Sequence, residues 1–135
     1  MSMQFLLDTN VCINIMHGKK MQLRDRLIKA GIENCYVSDI TMAELFYGAE
    51  CCKRPEEEML LIEGFLSDIK ILPITDSVQL FAHVKRQLEL RGLPIEDFDI
   101  LIGVTAVQHK MTMVTHNLKH FQRIPKIKIE DWESL

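Results

Sequence analysis

Short apolar runs alternate along this chain with longer segments in which apolar residues recur every three or four positions. The short runs predict buried strands, and the helical spacing predicts amphipathic helices. The predicted strands lie at 3–7, 35–37, 69–74, 112–115 and 126–129, and the predicted helices lie at 10–16, 21–30, 42–51, 56–67, 76–91, 97–109 and 118–121. Because strands that alternate with helices favour a parallel sheet covered on both faces, the pattern predicts an α/β fold.

One predicted helix differs from the others. The segment 97–109 carries apolar residues nearly all round, which places it in the interior of the protein. The other predicted helices end at ordinary breakers, among them Gly31, the Arg54-Pro55 pair and the run from Gly92 to Pro94.

Composition narrows the class of protein. With 135 residues, of which 47% are hydrophobic and 26% charged, the chain matches one ordinary domain that spans residues 1–135. No apolar run approaches the ~20 residues that cross a bilayer, and the first residues lack a basic signal region, so we expect a cytoplasmic protein with no membrane partner. The cysteine spacing fits neither a metal site nor a disulfide framework, which predicts reduced and mostly structural thiols.

Charge is unevenly distributed along the chain. The net charge is −3, yet the segment 101–129 contains no acidic residue. That segment carries five basic residues: Lys110, Lys119, Arg123, Lys126 and Lys128. A basic flank beside acidic residues suits a phosphate-bearing substrate, and a solvated basic tail is the equally open alternative.

Four polar residues stand at the edges of the most apolar segments, and they are the candidate site. Asp8 follows the first predicted strand and Asn117 follows the fourth. Glu44 falls in the first turn of the helix that follows the second strand, and Asp99 falls in the first turn of the interior helix. Because parallel sheets bind ligands beyond the carboxyl ends of their strands, we expect the four side chains to converge there.

Convergence of three carboxylates would require a counter-charge. Two such charges about 5 Å apart repel by roughly 3 kcal/mol at an effective dielectric near 20, or about 10 kcal/mol for three pairs. A hard divalent cation, Mg²⁺ or Mn²⁺, is the natural partner of all-oxygen ligands, whereas the histidine and cysteine spacings do not suit zinc. A carboxylate-held Mg²⁺ activates water and stabilises charge on phosphate, which predicts hydrolysis of a nucleic-acid backbone.

Each candidate also has a purely structural interpretation. Asp8 fits an N-cap, and Thr41 with Glu44 fits a capping box. Asp99 fits a first-turn acid favoured by the helix dipole, although its apolar neighbours make a solvated role harder to accept. Asn117 is well explained as the N-cap of the short helix that follows it.

The neighbouring histidine and aromatic residues also have two interpretations each. His116 and His120 are better explained as surface or phosphate-contacting groups than as metal ligands. The pair Phe46 and Tyr47 would stack on bases if exposed, but burial against the next helix is the expected outcome.

Taken in order, four segments resemble the PIN domain, specifically the VapC-type toxin endoribonucleases of bacterial toxin–antitoxin pairs. The segments are FLLDTN at 5–10, VSDITMAELFYGA at 37–49, DFDILI at 97–102 and VTHNLKHF at 114–121. Each segment alone is weak, but the ordered set is specific and the resemblance covers the whole length.

The resemblance implies roles for the polar residues. Asp8, Glu44 and Asp99 would be the acids that hold Mg²⁺ or Mn²⁺, with Asp8 and Asp99 as direct ligands and Thr9 orienting the first carboxylate. Many family members carry a further acid where this chain has Asn117, which implies a site with one less negative charge and a weak or absent second ion. We expect Asn117 to belong to the catalytic residues together with the three acids, and Thr115 to support them. His116, Lys119 and Arg123 are the expected RNA contacts.

The resemblance also implies partners. RNA would be the substrate, often a transfer RNA, and the chain would form a homodimer, or a hetero-oligomer with a VapB-like antitoxin lying in the groove of the helices at 42–67. Two other hypotheses stay open at this point. One is a phosphatase in which Asp8 is the nucleophile. The other is a catalytically inactive module that binds RNA or an antitoxin.

Overall fold

The computed structural model describes residues 3–134, in which strands and helices alternate. The strands are β1 (Phe5–Leu7), β2 (Cys35–Ser38), β3 (Lys70–Leu72), β4 (Thr112–Val114) and β5 (Lys128–Glu130). The α-helices are α1 (Thr9–Met16), α2 (Met21–Ala30), α3 (Asp39–Cys51), α4 (Pro55–Ser67), α5 (Val78–Leu90), α6 (Asp97–Gln108) and α7 (Leu118–Phe121). Every predicted strand and helix is therefore present, with boundaries shifted by a few residues.

The five strands form one sheet in the order β3-β2-β1-β4-β5, and every pair is parallel. The first strand is central, because Phe5 aligns with Cys35 on one side and with Thr112 on the other. The strand order reverses at β1, where one half of the sheet extends towards β3 and the other towards β5. A ligand site is expected beyond the carboxyl end of a strand at this position.

Helices cover both faces of the sheet, as the alternation of β1 side chains shows. Phe5 and Leu7 join one core with residues of α1, α2, α3 and α4. Leu6 joins a second core with residues of α5, α6 and α7. The predicted parallel sheet between two helical layers is confirmed.

The helix predicted to lie in the interior does so. In α6, Ile100, Ile102 and Val104 are almost completely buried, and Gly103 lies against α7 and the residues after it. A Cβ at position 103 would come closer to Cδ1 of Ile124 than two carbon atoms can approach, so the close packing of α6 requires glycine there. Burial of α6 fixes the position of its first turn, which carries Asp99.

The C-terminal segment after β5 packs back onto the sheet through Trp132, which is 1% exposed. Its ring meets Phe5 edge to face with centroids 5.3 Å apart, and the guanidinium of Arg26 lies 5.7 Å from the ring centroid. Glu130 accepts hydrogen bonds from the Trp132 indole at 3.0 Å and from Arg26 at 3.2 Å. These contacts hold the segment 131–134 close to the edge of the sheet.

Three local expectations were wrong. The helix predicted from residue 76 begins at Val78, because Thr75–Ser77 forms a tighter 3₁₀ turn first. The helix predicted to start after Thr41 begins at Asp39. Tyr47, expected to be buried, is 72% exposed, whereas Phe46 packs against the core.

The cysteines form no disulfide bond within the described residues. Cys12, Cys35, Cys51 and Cys52 are all free thiols, and the first two are buried. Within the described residues, none of the helices combines the length and apolar character needed to span a bilayer.

Candidate active site

Asp8 lies directly after β1 and is 5% exposed. Its Oδ1 accepts a hydrogen bond from the backbone N–H of Thr9 at 2.8 Å, and its Oδ2 accepts one from the hydroxyl of Thr115 at 2.8 Å. Thr115 follows β4, which pairs with β1, so the two side chains meet at the same edge of the sheet. Asp8 occupies the N-cap of α1, which confirms the structural interpretation of its sequence position, and it also lies at this edge, where its predicted role as a metal ligand stays a prediction.

The electrostatics of Asp8 are unusual for a carboxylate. Burial is the largest cause that raises its pKa, to about 6, and the negative charges of Asp99 and Glu44 add to this. The hydrogen bonds from Thr115 and Thr9 act in the opposite direction. The three predicted acids are therefore close enough to repel one another, as their convergence requires.

Glu44 does not form the capping box that its spacing from Thr41 allows. The N-cap of α3 is Ser38, whose hydroxyl accepts a hydrogen bond from the Thr41 N–H at 3.1 Å. Glu44 Oε1 instead accepts a hydrogen bond from the hydroxyl of Thr9 at 2.7 Å. Because α3 starts three residues earlier than expected, Glu44 lies in its second turn, and its side chain reaches Thr9 of α1.

Thr9 contacts two of the acids. Its backbone N–H binds Asp8, and its hydroxyl donates to Glu44 and lies 3.1 Å from the hydroxyl of Thr41. The resemblance implied that Thr9 orients the first carboxylate, and in the structure the side chain of Thr9 orients the second one.

Asp99 lies in the first turn of α6 and is half-buried. Burial, followed by the charges of Glu44 and Glu96, raises the pKa of Asp99, and His120 lowers it. The neighbouring acid Asp97 points elsewhere, because it forms an ion pair of 2.8 Å with Lys85 of α5. Asp99 is therefore the acid of this turn that faces the other carboxylates.

Asn117 stands at the N-cap position of α7, but its side chain makes no capping hydrogen bond. Its backbone N–H donates to the hydroxyl of Thr115 at 3.0 Å, and its side-chain amide lies 3.0 Å from Nδ1 of His120. The expected capping role is thus replaced by contacts that link Asn117 to Thr115 and His120, at the same edge as Asp8.

The three predicted RNA contacts have different surroundings. His116 Nδ1 lies 3.0 Å from Oδ2 of Asp131, and Arg123 donates to the carbonyl of Pro94 at 3.0 Å. Lys119 is exposed on α7. Arg123 therefore anchors the loop before α6, and His116 is tied to the C-terminal segment.

The basic flank predicted from the sequence is divided by the fold. Lys110, Lys126 and Lys128 line a cavity together, at the amino ends of β4 and β5. Asp8 and Thr115 lie at the carboxyl ends of the strands, so these three lysines are at the opposite edge. Only the α7 part of the basic segment lies on the side of the acids.

A cavity of about 400 Å³ opens beside Asp8. Its walls are formed by Asp8, Asn10, Asn14, Lys20, His116, Asn117 and Glu133. Sequence reasoning missed Asn10, Asn14, Lys20 and Glu133. The spacing of Asn10 and Asn14, one helical turn apart on α1, was a usable signal, whereas Lys20 and Glu133 are too distant in sequence to suggest a shared site.

The donor set suits a hard divalent cation held in part by water. Across residues 3–134, no three carboxylate, imidazole or thiol groups lie in an arrangement that by itself holds a metal ion. The expected compact cage of three acids is therefore not formed by side chains alone. Two carboxylates with several waters are sufficient for Mg²⁺, and the mutual repulsion of Asp8 and Asp99 is the electrostatic condition that a cation relieves.

The fold and the site together define an α/β protein with a cluster of acids at the carboxyl edge of its parallel sheet. The family model described as "PIN domain" matches residues 5–127. A tRNA(fMet)-specific endonuclease VapC from Salmonella typhimurium is 35% identical over 131 residues, which are 96% of this chain and 98% of that protein. The chain belongs to the PIN domain family and, within it, to the VapC group.

Solved structures agree with this placement. The DNA-bound VapBC complex of Salmonella typhimurium contains a chain with a TM-score of 0.90 and 35% identity, covering 96% of this chain and 98% of its own length. The DNA-bound VapBC2 complex of Rickettsia felis gives a TM-score of 0.88 and 30% identity, with coverage of 95% and 98%. The similarity therefore extends over almost the whole fold.

Proposed function

We propose that this chain is a metal-dependent endoribonuclease that hydrolyses RNA phosphodiester bonds and acts as the toxin of a toxin–antitoxin pair, with its PIN domain spanning residues 1–135. The observation that supports the proposal is that the negative charges of Asp99 and Glu44 help to raise the pKa of Asp8, in a chain whose relatives are VapC ribonucleases. Cytoplasmic RNA is then the substrate pool, which agrees with the predicted cytoplasmic location.

Asp8 and Asp99 would hold the cation, with Glu44 positioned beside them by Thr9. Mg²⁺ or Mn²⁺ is the proposed ion, and when bound it lowers the pKa of a water and stabilises the charge that develops on phosphate. Thr115 holds Asp8 in place by its hydrogen bond, and it also accepts one from Asn117. Because Asn117 is uncharged, we expect a second ion to bind weakly or not at all.

Transfer RNA is the proposed substrate class. The Salmonella typhimurium relative is named for its action on tRNA(fMet), so the initiator tRNA is the first RNA to test. Elongator methionine tRNA of the same organism is the matched comparison, since it shares the anticodon and differs elsewhere.

An antitoxin similar to VapB is the proposed protein partner, because the related solved structures are VapBC complexes. The α3 and α4 helices pack together and expose large apolar side chains, including Tyr47 at 72% and Leu60 at 70%. Exposed apolar side chains on adjacent helices suit the burial of an apolar peptide segment. We also expect a homodimer, which light scattering of the purified chain will test.

The decisive experiment compares two acids of the same helical turn. Purified protein is incubated with initiator tRNA and Mg²⁺ or Mn²⁺, and cleavage is followed by sequencing of the new ends. We expect Asp99→Asn to lower the rate by at least about 100-fold, because it removes a proposed cation ligand. The control Asp97→Asn, whose acid pairs with Lys85, should retain activity near that of the parent.

Chelation of divalent ions should abolish cleavage by the parent, and added Mn²⁺ should restore it. Equal rates for Asp99→Asn and the parent would refute the proposed role of the acids. Protein that cut no RNA with any ion but bound it equally with and without chelator would instead be the inactive binding module. A phosphorylated Asp8 trapped after incubation with a phosphate ester would favour the phosphatase.

A further inference from the structure

The C-terminal segment 131–134 supplies carboxylates to the two basic residues in the wall of the Asp8 cavity. Lys20 forms an ion pair with Glu133, and His116 lies 3.0 Å from Asp131. Both basic residues line the cavity, and so does Glu133. The basic side chains of the cavity that an RNA phosphate would enter are therefore already engaged by carboxylates of the same chain.

Glu133 is held firmly in this position. Its side chain is only 4% exposed, its backbone N–H donates to Oδ1 of Asp131 at 2.9 Å, and its backbone carbonyl accepts from Gln22 at 3.3 Å. The burial of Trp132 between these residues anchors the segment to the sheet. The carboxylate of Glu133 is thus presented to Lys20 by a fixed backbone and is not a freely moving surface group.

Lys20 differs from Glu133 in being accessible. It directly precedes α2 in a left-handed backbone conformation (φ 57°), and its side chain is 46% exposed. Its ammonium group can therefore exchange one anionic partner for another without leaving the cavity wall. A phosphate that approaches Asp8 is repelled by Asp8 and Glu133, so it needs a cation on this side of the site.

We propose that Lys20 binds a backbone phosphate of the RNA beside Asp8, and that Glu133 competes with this phosphate for the same ammonium group. This inference rests on the proposed RNA substrate. It predicts opposite effects from the two halves of one ion pair: loss of Lys20 weakens RNA binding, and loss of the Glu133 charge strengthens it. An ion pair that only fastens the C-terminal segment would give effects of the same sign.

The test measures binding of labelled initiator tRNA by fluorescence anisotropy in an Asp99→Asn background, so that the RNA is not cut. We expect Lys20→Met to weaken binding about fivefold and to reduce the salt dependence, the slope of log K against log salt, by about 0.7 to 1. Glu133→Gln should tighten binding about threefold. In the double variant, Glu133→Gln should add nothing to the effect of Lys20→Met, because the competition requires the lysine.

Two controls separate local from general charge effects. Lys19→Met removes an adjacent exposed lysine, and Glu57→Gln removes an acid on α4 that pairs with Arg54. Lys19→Met should change the affinity for tRNA less than Lys20→Met does, and Glu57→Gln should change it less than Glu133→Gln does. Thermal unfolding of every variant identifies any that fails to fold. Lys20→Gln then replaces Lys20→Met, and Glu133→Asp replaces Glu133→Gln. Because Glu133→Asp keeps the negative charge, it should give no gain in affinity.

The inference is overturned if both single variants shift affinity in the same direction, or if the double variant is additive. Cleavage by Lys20→Met with the parent's KM would overturn it while leaving the proposed ribonuclease intact. Opposite shifts, together with no RNA cleavage by the parent that retains Asp99, would leave the inference intact and overturn the ribonuclease. Absence of RNA binding by the parent would overturn both.

Discussion

Asp8 is the most buried of the three candidate acids. It is a carboxylate at the end of a central strand, it caps α1, and it is nearly enclosed by Thr9 and Thr115. Burial raises its pKa to about 6, so the metal-free protein is less stable with Asp8 ionised than with Asp8 neutral. Ionised Asp8 therefore destabilises the metal-free protein, and a bound cation would relieve this cost.

The first residue-scale prediction concerns Asp8→Asn. Because the pKa of Asp8 is raised from 3.8 to about 6, the contribution of Asp8 to the free energy of unfolding is fully present at low pH. It is lost as the pH rises through this range. Asparagine keeps the acceptor for Thr9, and its amide can donate to Thr115. The uncharged variant therefore avoids the free-energy cost of burying a carboxylate. Without metal, its free energy of unfolding should exceed that of the parent at pH 7 by up to about 3 kcal/mol.

Urea unfolding in chelator at pH 7 and pH 4 will measure this difference. We expect a clear gain at pH 7, almost none at pH 4, and no RNA cleavage by the variant at either pH. A variant destabilised equally at both values would show that Asp8 is required for folding. The parent should also lose cleavage activity at low pH, because protons compete with the cation for Asp8.

At the scale of elements, the site depends on where helices begin and how closely they pack. Ser38 caps α3 and thereby leaves Glu44 free to reach Thr9. The burial of α6 fixes the first turn that carries Asp99. Gly103 is the residue that allows this close packing, because the space that a Cβ would take is filled by Ile124, and a ring carbon of Phe121 lies 3.3 Å from that point.

Gly103→Ala should therefore lower the free energy of unfolding by about 1 to 3 kcal/mol, the usual cost of overpacking a core. Ile124→Val removes the methyl group that the new Cβ would meet, so the double variant should recover part of the loss. Gly48 and Gly64 lie in α3 and α4 with open space around them, and Gly48→Ala or Gly64→Ala should stabilise by about 0.5 to 1 kcal/mol. Chemical unfolding tests all four, and a stabilising Gly103→Ala would contradict this account of α6.

At the scale of the whole molecule, the sheet separates two cores and places different functions at its edges. The acids and the Asp8 cavity lie at the carboxyl ends of the strands, and three lysines lie at the amino ends. The exposed apolar side chains of α3 and α4 form a further surface. This separation allows a partner to bind α3 and α4 without contacting the core residues that hold Asp8.

The proposed antitoxin surface leads to a prediction at this scale. Tyr47→Asp and Leu60→Asp place charges on an exposed surface, so each variant should fold like the parent and weaken the complex with the VapB-like antitoxin at least about tenfold. Co-purification and titration calorimetry measure the affinity, and RNA cleavage by the free Leu60→Asp variant should be unchanged. Leu90→Asp, at another exposed leucine on α5, is the matched control. Equal losses for Leu90 and Leu60 would contradict the assignment.

Much of this architecture follows from local patterns. The order of strands and helices, the interior position of α6 and the choice of Asp8, Glu44 and Asp99 came from hydrophobic spacing and from acids beside apolar runs. The errors were also local, because a cap at Ser38 and a 3₁₀ turn at Thr75–Ser77 depend on backbone geometry that several sequences share. The exposure of Tyr47 was missed for a related reason, since spacing does not show which side of a helix finds a partner.

The sequence by itself determined the parallel sheet and its acidic edge, because a period of apolar residues and a charge next to a buried strand are properties of neighbouring positions. Only the tertiary structure decided that the hydroxyl of Thr9 donates a hydrogen bond to Glu44 and that Glu133 forms an ion pair with Lys20. It also decided that Lys110, Lys126 and Lys128 lie at the opposite edge of the sheet from the acids. These pairings join residues from distant parts of the chain. They arise when helices and the C-terminal segment pack onto the sheet, which no local pattern encodes.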